Sequence, residues 1–460
     1  MIPLKTGFKI AAVLLAAALL YLLISLTVPP LFHRPTGEST GDARPEGAAA
    51  RERVLCIDDN EDALLWRLRL IEAARQRLVL TTFDFRDDHS GQDIMAALLH
   101  AARRGVQVQI LVDGMNGSLW LPGSANFQEL AAHENVEVRL YNPITVLKPW
   151  RNNYRMHDKY LIADDFAYIL GGRNTDDLFL GHYADSYNED KDILVYETVP
   201  GAGRSYGQLL EYFGQIWQLP CCKPYRGRGA GGSALEEHYQ ALREQYPQIL
   251  TAPDWERATL EANGIELYTN PMQPKNKQPE LWDRLVEEMK QGDDVVILTP
   301  YIICSADMYR DLTGVASGAS RVDLIINAVE SGSNPFGCTD YLNQKKHVWR
   351  TGVQVYEYLG TQAMHTKTIL VGDTVSIVGS CNLDMRSVYL DTEMMLRIDS
   401  PELNAALRTQ AETLREHSRH VSPDAVVTDG AAYQPVELSA AKSVMYGLLR
   451  VLILPLRHLL

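Results

Sequence analysis

Two stretches of the chain repeat one pattern: residues 157–164 read HDKYLIAD, and residues 365–373 read HTKTILVGD. Each is followed by a glycine-containing segment that ends in asparagine, GGRN at 171–174 and GSCN at 379–382. Histidine, lysine, glycine and asparagine therefore recur in one frame, every pair displaced by 208 positions. Four residue types are not expected to coincide in this way by chance, so the chain is interpreted as a duplication with two homologous halves.

The residue types in the repeated pattern suit chemistry at a phosphodiester. In each copy the histidine and the lysine stand two positions apart on a predicted strand, so both side chains project from one face. One imidazole can attack phosphorus, and the other can protonate the leaving alcohol and later deprotonate the incoming one. Ammonium and amide groups can stabilise the charge on the non-bridging oxygens, so neither a metal nor an organic cofactor is required.

The elements around the motifs also follow one order twice. Apolar spacing predicts helices at 58–71, 94–102 and 281–289, and strands at 77–85, 106–112, 136–140, 295–298, 322–326 and 353–356. Such alternation is typical of a mixed α/β sheet that is covered on both faces. The predicted fold class is therefore α/β, with mixed sheets flanked by helices in each of two similar halves.

Changes in composition divide the chain further. Residues 31–50 are rich in proline, glycine, alanine and charge, and residues 220–233 are dense in glycine, arginine and proline. The predicted segments are a transmembrane anchor at 1–30, a linker at 31–52, the first half at 53–219, a linker and helix at 220–255, the second half at 256–425 and a membrane-associated tail at 426–460.

The apolar run Ile10–Val28, which follows Lys5 and Lys9, predicts the anchor. Its nineteen residues, at ~1.5 Å per residue, nearly match a hydrocarbon core of ~30 Å. A cleaved signal peptide is the alternative, but its apolar region is normally shorter, and the small residues at 48–50 lie too far downstream for cleavage. The lysines favour a cytoplasmic N-terminus, although basic residues beyond the run reduce that asymmetry.

The C-terminal residues 445–460 are also strongly apolar, with Lys442, Arg450 and Arg457 interspersed and Pro455 interrupting any single span. This pattern is typical of an amphipathic helix that lies among lipid headgroups, with its basic side chains toward anionic lipid. The alternative is a core helix docked on the domain.

Charge and cysteine content exclude some classes of protein. The formal net charge is −14 and the isoelectric point is near 5.4, which argues against a general nucleic-acid binder. The six cysteines lack CxxC spacing, and two of them are adjacent, so they suit neither a zinc knuckle nor a local disulfide. They are interpreted as small, mostly buried side chains without a metal.

The HxKxxxxD pattern followed by GGxN or GSxN, present twice, resembles the phospholipase D superfamily and, within it, the C type of bacterial cardiolipin synthase. The similarity extends over 53–400: the segments LIEAA at 70–74 and FDFRDD at 83–88 look like the first half of those enzymes, and PY at 300–301 and NLDMRS at 382–387 look like the second. The resemblance implies two α/β halves that pack so that both motifs meet at one site.

The resemblance also implies a role for each motif residue. His157 would be the nucleophile and His365 the general acid and base. The catalytic set is completed by Lys159, Lys367, Asp164 and Asp373, the substrate-binding set consists of Asn174, Asn382, Ser380 and Gly172, and the carboxylates that orient the imidazoles would be Asp192 and Glu393.

One position departs from the family pattern. Gly372 stands where the second motif should have its aspartate, and Asp373 follows one place later. Three interpretations remain: Asp373 substitutes through a local turn, the aspartate was only structural, or the second half-site is damaged.

The leading functional hypothesis is a phosphatidyltransferase or phospholipase D that acts through a covalent phosphohistidine. Phosphatidylglycerol or a similar phospholipid would be the substrate and the bacterial inner membrane the location, with the side of the catalytic domain left open. No nucleic-acid partner is expected. The alternatives are a membrane-tethered phosphodiesterase or nuclease of the same superfamily, and a catalytically silent scaffold.

Overall fold

The computed structural model describes residues 4–32, 52–229 and 234–460. Most of the linker predicted at 31–52 therefore lies outside the described residues. The N-terminal part contains the long helix α1 (Leu4–Thr27) and the short helix α2 (Pro29–Phe32). The stretch Ala12–Phe32 is long and apolar enough to cross a membrane, and almost none of it is buried against the rest of the protein.

The first half of the protein contains ten strands and seven helices among its described residues. The strands are β1 (Glu52–Ile57), β2 (Arg77–Thr82), β3 (Gln107–Asp113), β4 (Val136–Tyr141), β5 (Tyr160–Ala163), β6 (Ala167–Gly171), β7 (Asn188–Glu189), β8 (Asp192–Glu197), β9 (Cys222–Tyr225) and β10 (Leu260–Glu261). The helices are α3 (Asn60–Ala73), α4 (His89–Arg103), α5 (Gly114–Leu119), α6 (Ala125–Leu130), α7 (Arg204–Trp217), α8 (Ala234–Gln245) and α9 (Trp255–Ala258).

The second half contains the remaining strands and helices. The strands are β11 (Gly264–Thr269), β12 (Asp294–Leu298), β13 (Ile302–Ile303), β14 (Arg321–Asn327), β15 (Gln354–Tyr358), β16 (Ala363–Met364), β17 (Thr368–Val371), β18 (Val375–Gly379), β19 (Leu383–Asp384), β20 (Met394–Asp399), β21 (Ser418–Val421) and β22 (Val427–Asp429). The helices are α10 (Glu280–Met289), α11 (Ala306–Gly318), α12 (Pro335–Trp349), α13 (Met385–Tyr389), α14 (Pro401–Glu416) and α15 (Ala440–Leu452). Short 3-10 helices lie at Leu121–Gly123, Pro149–Asn153, Pro247–Leu250 and Leu454–Leu459.

Two nine-stranded sheets repeat one topology. Their strand orders are β10-β1-β8-β6-β5-β2-β3-β4-β9 and β11-β20-β18-β17-β12-β14-β15-β21-β22. In the first sheet β2, β3 and β4 are parallel, and in the second β12, β14 and β15 are parallel, while the flanking strands are antiparallel. Eight consecutive strands thus match between the sheets, and the predicted duplication and mixed α/β class are confirmed.

The two sheets face each other through one shared core. Val79 and Ile162 of the first sheet and Val296 and Leu370 of the second belong to the same buried cluster. Helices α3 and α4 cover the outer face of the first sheet, and α10 and α11 cover that of the second. Because the motif strands β5 and β17 are buried on both faces, they consist of unbroken apolar runs.

Three predicted boundaries differ from the structure. The tail was predicted to begin at 426, yet β22 pairs with β21 of the second sheet. The segment predicted as a linker and helix at 220–255 contributes β9 to the first sheet, and its helix α8 packs on α4. The second half was predicted to begin at 256, yet β10 pairs with β1 of the first sheet. The chain therefore stays with the first half through β10 and reaches the second sheet only at β11.

The C-terminal tail combines features of both readings offered for it. Helix α15 packs on α12, and Tyr446 is buried there. Val444, Leu448 and Val451 on the same helix are exposed. The helix is therefore docked on the domain and presents apolar side chains outward.

Candidate active site

The two histidines stand where the halves meet. His157 and Lys159 precede β5, and His365 and Lys367 precede β17, so the prediction that they lie within the strands is wrong by a few residues. The His157 backbone N–H donates to Thr392 O (3.2 Å), and the His365 N–H donates to Glu189 O (2.6 Å). Each motif is therefore bonded to a segment of the opposite half, which brings the two imidazoles into one centre.

Each imidazole is also bound by a carboxylate of the opposite half. His157 Nδ1 lies 2.9 Å from Glu393 Oε1, and His365 Nδ1 lies 2.6 Å from Asp190 Oδ2. A carboxylate at Nδ1 holds the ring in the orientation and tautomer that leave Nε2 available for chemistry. The structure thus places Glu393 where the sequence predicted an orienting carboxylate.

The prediction that Asp192 also orients an imidazole is wrong. Its side chain forms ion pairs with Arg67 (2.9 Å) and Arg173 (3.4 Å) and is fully buried. Gly171 pairs with Asp192, whereas Gly379 pairs with Met395, so the equivalent of Glu393 is Asp190. Asp190 lies sixteen positions after Asn174, whereas Glu393 lies eleven positions after Asn382. Because the two loops differ in length, the equivalent carboxylate cannot be found by counting residues from the motif.

The glycine-rich segments serve the carboxylates. A Cβ atom at Gly172 would lie 2.4 Å from the Asp190 carboxylate oxygens, so only glycine leaves them room. At the equivalent position Ser380 donates to Glu393 Oε2, and Ser387, which the sequence analysis missed, donates to Glu393 Oε1 (2.6 Å). Gly172 and Ser380 were predicted to bind substrate; the structure shows them against the carboxylates instead.

The lysines and asparagines provide groups that suit a phosphate. Lys159 Nζ donates to His157 O (2.5 Å), and Lys367 Nζ lies 2.5 Å from His365 Nδ1. The Oδ1 atoms of Asn174 and Asn382 are buried without a hydrogen-bond partner in the part of the chain that the structure describes. Buried amides are normally hydrogen-bonded, so these two are available to a ligand: each Oδ1 can accept from a hydroxyl group, and only the amide NH₂ group can donate to a phosphate oxygen.

The motif aspartates do not belong to this centre. The Asp164 carboxylate lies at the far end of β5, where it accepts the backbone N–H groups of Arg75 (2.7 Å), Gln76 (2.8 Å) and Arg77 (2.7 Å). Its φ of 48° is matched by 54° at Gly372, which occupies the same turn in the second half. The predicted catalytic role of Asp164 is therefore wrong, because its carboxylate is used to hold backbone amides.

The second half holds the equivalent turn in a different way. Arg408 donates to Gly372 O (2.7 Å) and to Asp294 Oδ1 (2.8 Å), which ties the same turn to the start of β12. Asp373 is exposed on this turn, away from His365, so its predicted catalytic role is also wrong. Of the three interpretations of Gly372, the structure supports a purely structural aspartate, and nothing at the second half-site is lost with it.

Burial and neighbouring charge set the protonation of the centre. Burial, with Lys159 beside it, lowers the pKa of His157 well below its usual value, and burial lowers the pKa of Lys159 to about 7. Burial and Lys367 lower the pKa of His365 to about 4. Both imidazoles are therefore neutral in the empty site at neutral pH.

The two carboxylates differ in acidity. Burial raises the pKa of Glu393 to about 8. Burial also opposes ionisation of Asp190, but Lys367 and His365 outweigh it and hold the pKa of that carboxyl well below its usual range. Asp190 is thus a fixed anion, whereas Glu393 gains and loses a proton near neutral pH.

Aromatic rings border the histidines, and the segments that carry these rings also line a cleft. Phe83 meets the His157 ring edge-on at 5.1 Å, and Phe179 meets the His365 ring at 4.9 Å. The lining of a cleft of about 660 Å³ includes Asp84, which follows Phe83 in the chain, and Leu178, which precedes Phe179, together with Trp120 and Asp176. Neither ring was predicted, and only their place after β2 and after the GGRN segment could have indicated them.

Comparison with known proteins gives a consistent family. The model of the family described as "Cardiolipin synthase, PLD-like domain" matches residues 68–217 and 285–415, more than half of the chain. Cardiolipin synthase C of Escherichia coli (strain K12) is 25% identical over 394 residues, which cover 75% of this chain and 81% of that protein. An uncharacterized protein of Helicobacter pylori (strain ATCC 700392 / 26695) is 24% identical over 422 residues, 80% of each chain.

Among solved structures, the phosphatidylserine synthase of Haemophilus influenzae Rd KW20 matches with a TM-score of 0.63 and 14% identity. The match covers 88% of this chain and 95% of that one, so the two proteins share the fold over nearly their whole length.

Proposed function

Because this chain belongs to the cardiolipin synthase family of phospholipase D-like proteins, we propose that it transfers the phosphatidyl group of one phospholipid to a hydroxyl group of a second. The observation that carries the proposal is the pair of imidazoles, each with Nδ1 on a carboxylate of the opposite half. Two histidines so held, beside two buried lysines, can perform displacement at phosphorus in two steps.

In the first step His157 Nε2 attacks phosphorus. A P–N bond forms and the bond from phosphorus to the leaving glycerol oxygen breaks, while His365 donates its Nε2 proton to that oxygen. The anionic phosphodiester next to Lys367 offsets the positive charge that lowers the pKa of His365, so substrate binding favours the protonated acid. Asp190, which stays ionised, stabilises the imidazolium.

In the second step the incoming alcohol gives its proton to neutral His365, and its oxygen attacks phosphorus. The P–N bond breaks and His157 is regenerated. Lys159, Lys367, Asn174 and Asn382 hold the non-bridging oxygens in both steps, which stabilises the charge on the transferring group. Attack by water on the same intermediate would give phosphatidic acid, so the alcohol must compete with water at the cleft.

The name of the relative from Escherichia coli supports cardiolipin as the product. Because cardiolipin carries two phosphatidyl groups on one glycerol, the acceptor would be phosphatidylglycerol, and phosphatidylglycerol or a similar phospholipid would be the donor. The carboxylates that line the cleft, among them Asp84 and Asp176, can accept hydrogen bonds from the hydroxyl groups of a headgroup. The apolar helix α1 supports an anchored location in a bacterial inner membrane.

The test uses full-length protein in mixed micelles with headgroup-labelled phosphatidylglycerol. We expect cardiolipin and free glycerol, with the product lost in His157→Ala and in His365→Ala and retained in His347→Ala, an exposed histidine outside the centre. The headgroup label leaves with the glycerol, so trapping uses phosphatidylglycerol labelled at phosphorus: acid-labile label on the protein should survive in His365→Ala and disappear in His157→Ala. Phosphatidic acid as the sole product, or intact lipid beside cleaved DNA, would refute the transferase.

A further inference from the structure

The apolar N-terminal helix is fixed to the catalytic domain at its C-terminal end. Asn153 Nδ2 donates to Leu26 O (2.7 Å), Asn276 Nδ2 donates to Pro30 O (2.6 Å), and His458 Nε2 lies 2.8 Å from Thr27 O. These three side chains come from the first half, the second half and the tail. The helix therefore leaves the domain in one defined direction.

This docking point lies at the catalytic edge of the first sheet. Strand β5 is antiparallel to β2, with Tyr160 opposite Thr81, so His157 stands at the carboxyl end of β2. The parallel strands β3 and β4 end at the same edge. Asn153, which holds the helix, is four residues before His157.

The second motif and the tail reach the same place. Arg386 follows Asn382 in the NLDMRS segment and donates to Asn153 O (2.7 Å) and to Leu459 O (3.1 Å). The anchor, the chain end and both motifs are thus connected through one buried network.

An exposed apolar loop projects from this edge. In the segment 143–148, directly after β4, Val146 is 72% exposed and Leu147 is 81% exposed. The loop is built to hold them there, because the Thr145 N–H donates to Asn152 Oδ1 and Asn152 Nδ2 donates back to Thr145 O, both at 3.0 Å. Large apolar side chains held in solvent mark a contact surface.

Basic residues surround the loop. Lys148 is its last residue, and Arg151 and Lys275 line a cavity of about 350 Å³ beside it, together with Trp150. In an anionic membrane surface, apolar side chains insert deepest, and tryptophan and basic side chains lie at the level of the headgroups. The loop and its neighbours have this arrangement.

The outer side of α15 has the same character. Its polar residues face the domain, since Lys442 Nζ donates to Glu330 O (2.8 Å) and Arg450 Nε donates to Asn343 Oδ1 (2.8 Å). Val444, Leu448 and Val451 then point away from it, each at least 64% exposed. A helix on a water-facing surface has the opposite arrangement.

We propose that the loop 143–148 and the outer side of α15 form one bilayer-contacting surface around the docked helix α1, with the catalytic edge held against an anionic membrane. The occupant is the lipid bilayer, because the surface is continuous with a helix able to span one and carries the cations that anionic lipid attracts. The inference rests on the proposed function and deepens it, because both lipids would then enter the site without leaving the membrane.

The test is fluorescence quenching on full-length protein in vesicles of phosphatidylcholine and phosphatidylglycerol. An environment-sensitive dye is placed on Leu147→Cys, on Leu448→Cys and on the control Val199→Cys, with unsubstituted protein correcting for the native cysteines. Val199 is also exposed, but it follows β8 at the opposite edge of the first sheet.

We expect nitroxide-labelled lipid to quench the dyes at 147 and 448 at least several-fold more than the dye at 199. Aqueous iodide should show the reverse order. Equal lipid quenching at 147 and 199 would overturn the proposal. So would a dye at 147 that is shielded from iodide but not quenched by lipid, because a protein or a second copy would then cover the loop.

Quenching does not depend on turnover, so the two proposals can fail separately. A lipid-quenched loop in a protein that makes no cardiolipin leaves the surface standing and removes the transferase. Cardiolipin formation with an iodide-exposed loop does the opposite.

Discussion

The two orienting carboxylates should respond differently to the same isosteric substitution. We compare Asp190→Asn with Glu393→Gln, because the structure gives their two oxygens different partners. Asp190 Oδ1 accepts the Lys191 backbone N–H (2.8 Å), which can only donate. In Asp190→Asn the amide oxygen must therefore keep that bond, and the NH₂ group turns toward His365.

An amide donor at His365 Nδ1 forces the proton onto Nε2, so the imidazole can no longer accept a proton from the incoming alcohol. The NH₂ group would also lie against Lys367, which is 3.5 Å from Asp190 Oδ2. Wrong-tautomer substitutions of this kind cost about 10⁴-fold in kcat. That factor corresponds to about 5.5 kcal/mol of transition-state stabilisation.

Glu393→Gln should be milder. Its oxygen can stay on His157 and Ser387, because Ser380 can turn its hydroxyl from Glu393 toward Met394 O, which lies 3.3 Å away. The tautomer is then kept and only the charge of the acceptor is lost. Replacing a charged by a neutral hydrogen bond costs about 1.5–2.5 kcal/mol, or roughly 10- to 70-fold in kcat.

Cardiolipin formation under saturating lipid measures kcat for both variants, with thermal unfolding as the check on folding. The matched control is Asp192→Asn, which should lower the melting temperature by breaking its pairs with Arg67 and Arg173. If Glu393→Gln loses as much kcat as Asp190→Asn, the donor argument is refuted.

Four further outcomes follow from the geometry. Asp164→Ala should lower the free energy of unfolding, measured by urea titration, by about 2 kcal/mol, because three backbone amides lose their acceptor. Asp373→Ala should change it by no more than about 0.5 kcal/mol. Equal effects of the two substitutions would contradict a structural role for the motif aspartate. The profile of kcat/KM against pH should be bell-shaped, with its maximum between about 7 and 8. As pH rises, Glu393 becomes ionised, which gives the acid limb, and Lys159 loses its charge, which gives the alkaline limb. The two groups belong to one network, so each limb reports a shared titration. Ser387→Ala removes a hydrogen-bond donor to ionised Glu393 and should therefore move the acid limb to higher pH. If the acid limb does not move, the group that titrates there is not Glu393. Gly172→Ala should reduce kcat by at least about 100-fold by displacing Asp190, whereas Gly372→Asp, at an open position, should retain activity within about twofold.

The sequence predicted the fold well because its signals are local or repeated. The apolar runs at 160–163 and 368–371 reflect strands buried on both faces. The constant displacement of the two motifs survives because the turn between β5 and β6 has the same length as the turn between β17 and β18. Such features depend on neighbours along the chain and are visible without coordinates.

The parts of the site that were mispredicted depend on contacts between distant segments. Asp164 was assigned to catalysis because it belongs to the motif, but its partners lie almost ninety positions earlier, at 75–77. Asp190 was missed because the loop after Asn174 is longer than its counterpart, and the acidic stretch NEDKD at 188–192 offers several candidates. Only strand register, which is a tertiary property, selects among them.

The exchange of carboxylates between the halves explains why the duplication tolerates unequal motifs. Neither half alone holds an oriented imidazole, because Glu393 serves His157 and Asp190 serves His365. The reacting groups are therefore constrained by the packing of the two sheets, whereas the turn that carries Asp164 in one half and Gly372 in the other is held by bonds within its own half. Loss of the motif aspartate at Gly372 changes how a strand is held at its far end and leaves the pairing of histidine with carboxylate intact. Conversely, a side chain at Gly172 would displace Asp190 from His365 and so disturb the centre that both histidines share.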